Sequence, residues 1–165
     1  MMEKNLQILS VLKERFEDQV LQVEEPYDFL TVTLRHERIA EIIRLLYDDP
    51  STSFRYLTSL CGIHFPEREL LGVVYQLHNL QANMRLRLKI LFPEKEPVVQ
   101  SITSIFAGAN WMERETYDFF GIQFDGHPDL RRILNVEDMI MFPLRKEFPL
   151  EDQVRNDKND SMFGR

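Results

Sequence analysis

Cysteine is nearly missing: the 165 residues hold one, Cys61. A disulfide within the chain needs two thiols, and an iron–sulfur cluster ordinarily needs four ligands, so neither is expected of this chain alone. In the run Phe54-Arg-Tyr-Leu-Thr-Ser-Leu-Cys-Gly-Ile63, Cys61 reads as a small buried apolar group. Glycine is also scarce. Its six residues form no dinucleotide fingerprint, no phosphate loop ending in Gly-Lys-Ser/Thr and no nucleophile elbow. Long hydrophobic runs are absent, since stretches such as Leu70 to Val74 fall far short of the roughly 20 apolar residues of a membrane-spanning helix. Positive charge is the minority sign, 20 Lys and Arg against 27 Asp and Glu for a net charge of -7, which argues against nonspecific nucleic-acid binding. The N-terminal Met-Met-Glu-Lys-Asn-Leu-Gln lacks the basic start, apolar centre and cleavage site of a secretory signal, so a cytoplasmic location is expected.

What remains suits one domain with a sizeable core. Leu6, Leu9, Leu12 and Phe16 share one stripe of an opening helix over Lys4 to Asp18. Val20 to Val23 and Phe29 to Leu34 read as strands joined across a turn at Pro26. Ile39, Ile42, Ile43 and Leu46 restore helical spacing over His36 to Tyr47, and Asp48-Asp49-Pro50 stops it. Phe54 to Phe65, Leu70 to Leu80 and Met84 to Phe92 then read as three strands whose short connections favour an antiparallel meander. In the last, Leu86, Leu88 and Ile90 alternate with Arg85, Arg87 and Lys89, giving one packed face and one that meets water or a partner. Val98 to Phe106 reads as a helix, interrupted at Gly108-Ala-Asn110 before Trp111 to Phe120 resumes and Gly121 stops it. The expected fold is α+β, a two-layer arrangement with a mixed sheet in the order helix, strand, strand, helix, three strands, helices. An α/β domain over 1–121 is followed by an extended segment over 122–165.

That segment keeps Ile133, Leu134, Met139, Ile140, Met141, Phe142, Leu144, Phe148 and Leu150 without any sustained period, which is too apolar for a solvated tail. It either wraps over its own domain or docks on a neighbouring chain, and docking is the expectation. The final 152–165 are polar and read as disordered until bound. Arg114 and Asp118 lie one helical turn apart and are expected to pair. In Gly126-His-Pro-Asp-Leu-Arg-Arg132, Pro128 extends His127, and Pro128 and Asp129 suit the start of a helix, which makes a fixed corner. His127 reads as a donor that ties this corner down rather than as a pH switch. Arg131 and Arg132 are suited to forked bonds with carboxylates or carbonyls of another chain, against a solvated charge pair. Glu113, Glu115, Asp118 and His127 are the residue types of a metal or acid/base site, yet carboxylates beside arginine on a helix are more often ion pairs. A stand-alone metal-dependent hydrolase built on Glu113, Asp118 and His127 is the rival from a different class.

Three blocks, Glu113-Arg-Glu-Thr-Tyr-Asp-Phe-Phe-Gly-Ile122, Gly126-His-Pro-Asp-Leu-Arg-Arg-Ile-Leu134 and Pro143-Leu-Arg-Lys-Glu-Phe-Pro-Leu150, resemble the thirty-kilodalton (C) subunit of bacterial and mitochondrial NADH:quinone oxidoreductase, respiratory complex I. The resemblance implies a cofactor-free structural subunit of the peripheral arm, with FMN, iron–sulfur clusters, NADH and quinone handled by other subunits. Its implied partners are the hydrogenase-like (D) subunit and the neighbouring cluster-bearing (B and I) subunits. Its implied place is the cytoplasmic face of the bacterial inner membrane, held peripherally. The related alternative is the equivalent subunit of a ferredoxin-linked or hydrogenase-linked membrane complex. Carried over from the family signature are Glu113, Arg114, Glu115, Asp118, Gly121, His127, Pro128, Asp129, Leu130, Arg131 and Arg132, with Pro143, Leu144, Arg145 and Lys146 in the last block. Their implied roles are interface and corner formation, with no catalytic, cofactor or metal residue in this chain. Family members usually carry a glycine-histidine pair where this chain has Met141-Phe142, so a different contact on the partner is expected there.

Overall fold

The computed structural model describes residues 2–148, so the expectation of a disordered end over 152–165, like Pro149 and Leu150, lies outside the described residues. In chain order the elements are α1 (Met2–Phe16), β1 (Val20–Glu24), β2 (Thr31–Leu34), α2 (Ile39–Asp48), β3 (Tyr56–Phe65), β4 (Leu70–Asn79), β5 (Met84–Pro93), β6 (Val98–Gln100), α3 (Ala109–Phe120) and β7 (Gln123–Asp125). The main sheet runs β1-β2-β5-β4-β3. β3, β4 and β5 form the antiparallel meander that their short connections require, and β2 lies parallel to β5. The fold is α+β with a mixed sheet, as the sequence pattern leads one to expect.

Register decides which side chains share a face. Leu71 opposes Phe92, Val73 opposes Ile90, Tyr75 opposes Leu88 and Leu77 opposes Leu86, and all eight are buried. On β3 the same face carries Leu60, Gly62 and His64, opposite Tyr75, Val73 and Leu71. Ile8, Leu12 and Phe16 of α1 and Ile39, Ile42, Ile43 and Leu46 of α2 complete this core. Each fully buried Leu or Ile is a site where truncation to Ala costs about 2–5 kcal/mol. α3 packs on β3, where the Phe120 ring lies 2.5 Å from the position a Cβ on Gly62 would occupy. Gly62 thus admits the ring, as a glycine in a strand interior often does for a close neighbour.

Two expectations need correction. Val98–Gln100 is a strand, with Val99 buried between exposed neighbours, and the helix expected over Val98 to Phe106 is replaced by turns. Its parallel partner is β7, which follows only after the whole of α3, and nothing local signals such a pairing. Beyond residue 121, Ile122 and Phe124 belong to the core and β7 pairs with β6 in the small sheet. Cys61 is exposed rather than buried, since the inward positions of β3 at this point are Leu60 and Gly62.

Candidate docking site

α3 turns Glu113, Thr116 and Asp118 into the protein, and all three are buried. The helix ends where Gly121 adopts φ 75°, letting its N–H bond the Tyr117 carbonyl at 2.8 Å. The chain then leaves through β7, turns at His127 and returns across the end of α3.

Asp118 organises that return. Its carboxylate, fully removed from solvent, accepts the backbone N–H groups of Ile133 at 3.1 Å, Leu134 at 2.8 Å and Asn135 at 2.9 Å, and the Arg132 Nη1 at 2.7 Å. Arg132 also donates to the carbonyls of Asp118, Met139 and Met141. Burial alone would raise the pKa of this carboxyl, but the amides of Asn135 and Leu134 together with Arg132 hold it well below the usual carboxylate range. One ionised side chain therefore folds a segment that lacks any helix or strand. The expected Arg114–Asp118 pair does not form. Arg114 donates to the carbonyls of Arg131 and Arg132 at 3.2 and 3.1 Å, because Asp118 faces inward while Arg114 lies nearer the surface.

The corner at His127 is held by a fixed tautomer. Nδ1 accepts the Asp129 N–H at 3.0 Å, which places the ring proton on Nε2, where it bonds the Asn110 carbonyl at 3.1 Å. Pro128 and Asp129 start no helix; they form a turn, and Asp129 pairs with exposed Arg131 at 2.9 Å. Leu130 packs against the core. Arg132 is thus spent within its own chain rather than on another.

A second anchor holds 142–147. Arg145 donates through Nε to the Phe120 carbonyl at 2.7 Å and through Nη1 to Glu94 at 3.1 Å. The Phe142 ring lies 5.1 Å from the Arg132 guanidinium and 5.0 Å from that of Arg145, and it covers Gly121. Where a different partner contact was expected, Phe142 thus packs on its own chain. Leu144 gives its N–H to the Phe119 carbonyl, Pro143 is half-buried, and the Lys146 N–H bonds His64 Nδ1 at 3.0 Å. Glu115 and the Lys146 side chain remain exposed.

His64 and Glu94 do not stand out in the sequence, although a histidine at an inward strand position is the available signal. The His64 side chain is fully buried and lies 82 positions from Lys146. With Glu94 and Glu147 it forms, among the described residues, the one trio whose ligand-type atoms converge. Its bonding argues against a metal. Nδ1 accepts an amide, so Nε2 keeps its proton towards Glu94 at 3.3 Å, and Arg145 already balances the carboxylates. Glu113, Asp118 and His127, the ligands of the hydrolase reading, each serve a different local partner and share no centre.

Glu113 accepts the Ile102 N–H at 2.8 Å and the Ser101 hydroxyl at 2.7 Å, tying the β6–α3 connection to the helix. Burial outweighs both bonds and pushes its carboxyl from 4.5 up to about 7. The folded state therefore holds a proton that the unfolded chain releases. This contribution is complete below the unfolded value and is lost as pH rises through about 7. Glu113→Gln keeps an acceptor for the Ile102 N–H and turns its NH2 to donate to the Ser101 oxygen, without the charge, so above pH 8 it is expected to stabilise the chain by roughly 3 kcal/mol and to flatten urea midpoints measured from pH 4.5 to 8. An unchanged pH slope would remove Glu113 as its source.

The anchored segment presents apolar side chains outward: Leu134, Val136, Ile140, Met141, Leu144 and Phe148 are exposed, Ile140 at 94%. These exposed apolar side chains, gathered in one segment held by buried charge, make it the candidate docking surface. Among the described residues no helix is long and apolar enough to cross a membrane.

The family described as "Respiratory-chain NADH dehydrogenase, 30 Kd subunit" matches residues 32–154. The C 1 subunit of NADH-quinone oxidoreductase from Rhizobium meliloti (strain 1021) is 41% identical over 145 residues, covering 87% of this chain and 72% of its own length. Among solved structures, "Nqo5 of the trypsin-resistant fragment (1-134) in P63 form" is 31% identical with a TM-score of 0.60, covering 75% of this chain and 99% of the other. A chain from the archaeal "membrane-bound sulfane sulfur reductase (MBS)" shares the fold at a TM-score of 0.74 and 17% identity, with coverages of 90% and 86%.

Proposed function

Because the chain belongs to the 30 kDa subunit family of the respiratory-chain NADH dehydrogenase, and so is a subunit of an NADH-quinone oxidoreductase, we propose that it acts as a cofactor-free structural subunit of the peripheral arm. It supports electron transfer from NADH to quinone, coupled to proton translocation, by holding other subunits in place. FMN and the iron–sulfur clusters sit on those other subunits. The observation that carries this reading is the segment set by Asp118, Arg132 and Arg145, which has no regular structure yet projects a row of apolar side chains. The α/β unit through Asp125 forms the folded body, and the segment from Gly126 onward docks. The protease-resistant fragment of Nqo5, which matches three quarters of this chain, supports that division.

The hydrogenase-like (D) subunit is the partner we assign to the segment, with the cluster-bearing (B and I) subunits as neighbours, at the cytoplasmic face of the bacterial inner membrane. The signature residues act by shaping the segment and its support: Asp118, Arg132 and Arg145 fix it, His127, Pro128 and Asp129 turn it, Leu144 presents an apolar contact, and Glu113 ties the β6–α3 connection to the helix beneath it. The test is affinity purification of the tagged chain from solubilised membranes, with mass spectrometry of co-purifying subunits and an NADH-dependent quinone reduction assay. Ile140→Asp with Leu134→Asp leaves the core untouched and is expected to lower recovery of the hydrogenase-like partner at least tenfold. Full recovery with both charges in place would reject the docking role. The same core without an NADH-binding module would point to the ferredoxin-linked or hydrogenase-linked relative.

A further inference from the structure

The sheet face turned away from α1 and α2 carries rows of side chains set by register. One row is Cys61, Val74, Lys89 and Thr33; the next is Ser59, Gln76, Arg87 and Thr31; then come Tyr56, His78 and Arg85, with Ile63, Gly72 and Leu91 at the opposite end. Arg85, Arg87 and Lys89 thus stand side by side at alternate positions of the central strand β5. Like charges so placed repel one another unless an opposite charge answers them. No ion pair among the described residues includes any of the three; Arg87 lies instead over the Phe29 ring, 4.7 Å from its centroid. On the strands of this face only Glu24, on the edge strand β1, is acidic, and beside the face the exposed Glu115 of α3 lies near enough to Cys61 to act on its thiol. In a chain of net charge -7 this is a local inversion of sign.

We propose that this basic face is a second docking surface, distinct from the C-terminal segment, and that it receives an acidic polypeptide segment of a neighbouring subunit. Its carboxylates meet Arg85, Arg87 and Lys89, and an aliphatic side chain rests between Ile63 and Leu91. The proposal rests on the chain being part of a multisubunit oxidoreductase. A protein partner fits better than an anionic lipid surface. Three cations govern the field within a Debye length of roughly 8 Å, where a protein segment docks, whereas an extended anionic membrane also meets the negative charge of the whole chain.

The test places the photo-crosslinking residue p-benzoylphenylalanine at position 76, opposite Arg87 at the middle of the three cations, in the full chain within its assembled complex. The complex is purified through a tag on this chain, its subunits are identified, and it is irradiated before peptide mapping. The expected product joins position 76 to an Asp/Glu-rich peptide of another subunit, with a yield that falls at least tenfold when Arg85, Arg87 and Lys89 are all changed to Glu. A second version with all three as Gln, which avoids new repulsion in the sheet, is expected to reduce the yield as well. Crosslinks to lipid, to residues 149–165 of the same chain or to a peptide without carboxylates would overturn the proposal. So would an intact complex with no crosslink, or a yield indifferent to both charge changes. Recovery of the chain without other subunits, read before irradiation, would overturn the functional reading and this surface with it.

Discussion

Asp118→Ala is expected to lower stability by about 3–5 kcal/mol and to release the segment from Arg131 to Met141, upstream of the Arg145 anchor. The substitution removes one carboxylate but strands several groups at once. The guanidinium of Arg132, itself only 8% exposed, loses its counter-charge, and the amides of Ile133, Leu134 and Asn135 lose their acceptor. A charge left buried without its partner is far more damaging than the pair was favourable, which is why the effect exceeds that of a surface ion pair. Limited trypsin digestion should show cleavage after Arg131 or Arg132 appearing in the variant before the body is cut. The pH dependence follows from the same carboxylate. Its folded value lies below the unfolded one, so its contribution is complete above the ordinary aspartate range near pH 4 and is lost only as pH falls towards the depressed folded value. A variant with wild-type protease resistance and acid stability would show that Asp118 does not hold the segment.

Gly121→Ala should have the next largest effect, about 2–4 kcal/mol, from two independent causes. At φ 75° an alanine is held in the left-handed region, which costs roughly 1–2 kcal/mol. Its methyl would also lie 2.5 Å from the Phe142 ring, so the ring must move. Phe142 cannot move without disturbing Arg132 and Arg145, which flank it, and Tyr117, whose ring centroid is 6.3 Å away. The loss should appear both as a lower urea midpoint and, if the segment docks as proposed, as weaker retention of its partner subunit. Phe142→Leu combined with Gly121→Ala should recover part of the midpoint by making room. If the double variant recovers nothing, backbone strain alone carries the effect.

Much of the fold is legible because local periodicity is set by local physics. Ile39, Ile42, Ile43 and Leu46 can share a face only in a helix, and Leu86, Leu88 and Ile90 can do so against Arg85, Arg87 and Lys89 only in a strand. Val98 to Gln100 reads wrongly as helix because a three-residue strand carries too little pattern to outweigh its neighbours, and its partner is remote. The site is legible as a set of residues rather than as an arrangement. Arg114 at one helical turn from Asp118 is the obvious pair by spacing, yet Arg132 takes that place from 14 residues away.

By itself, then, the amino-acid sequence determined the helix and strand periods, the apolar character of the C-terminal segment, the family to which the chain belongs and the residue types from which its anchor is made. Only the tertiary structure decided that Asp118 serves Arg132 and three amides, that His64 meets Lys146 across 82 positions, and that Arg85, Arg87 and Lys89 share a face with almost no opposing charge. The reason is physical. Helical and strand periods follow from backbone geometry over a few residues, whereas a buried charge is stable only beside the partner that packing brings to it, and distance along the chain places no limit on where that partner lies.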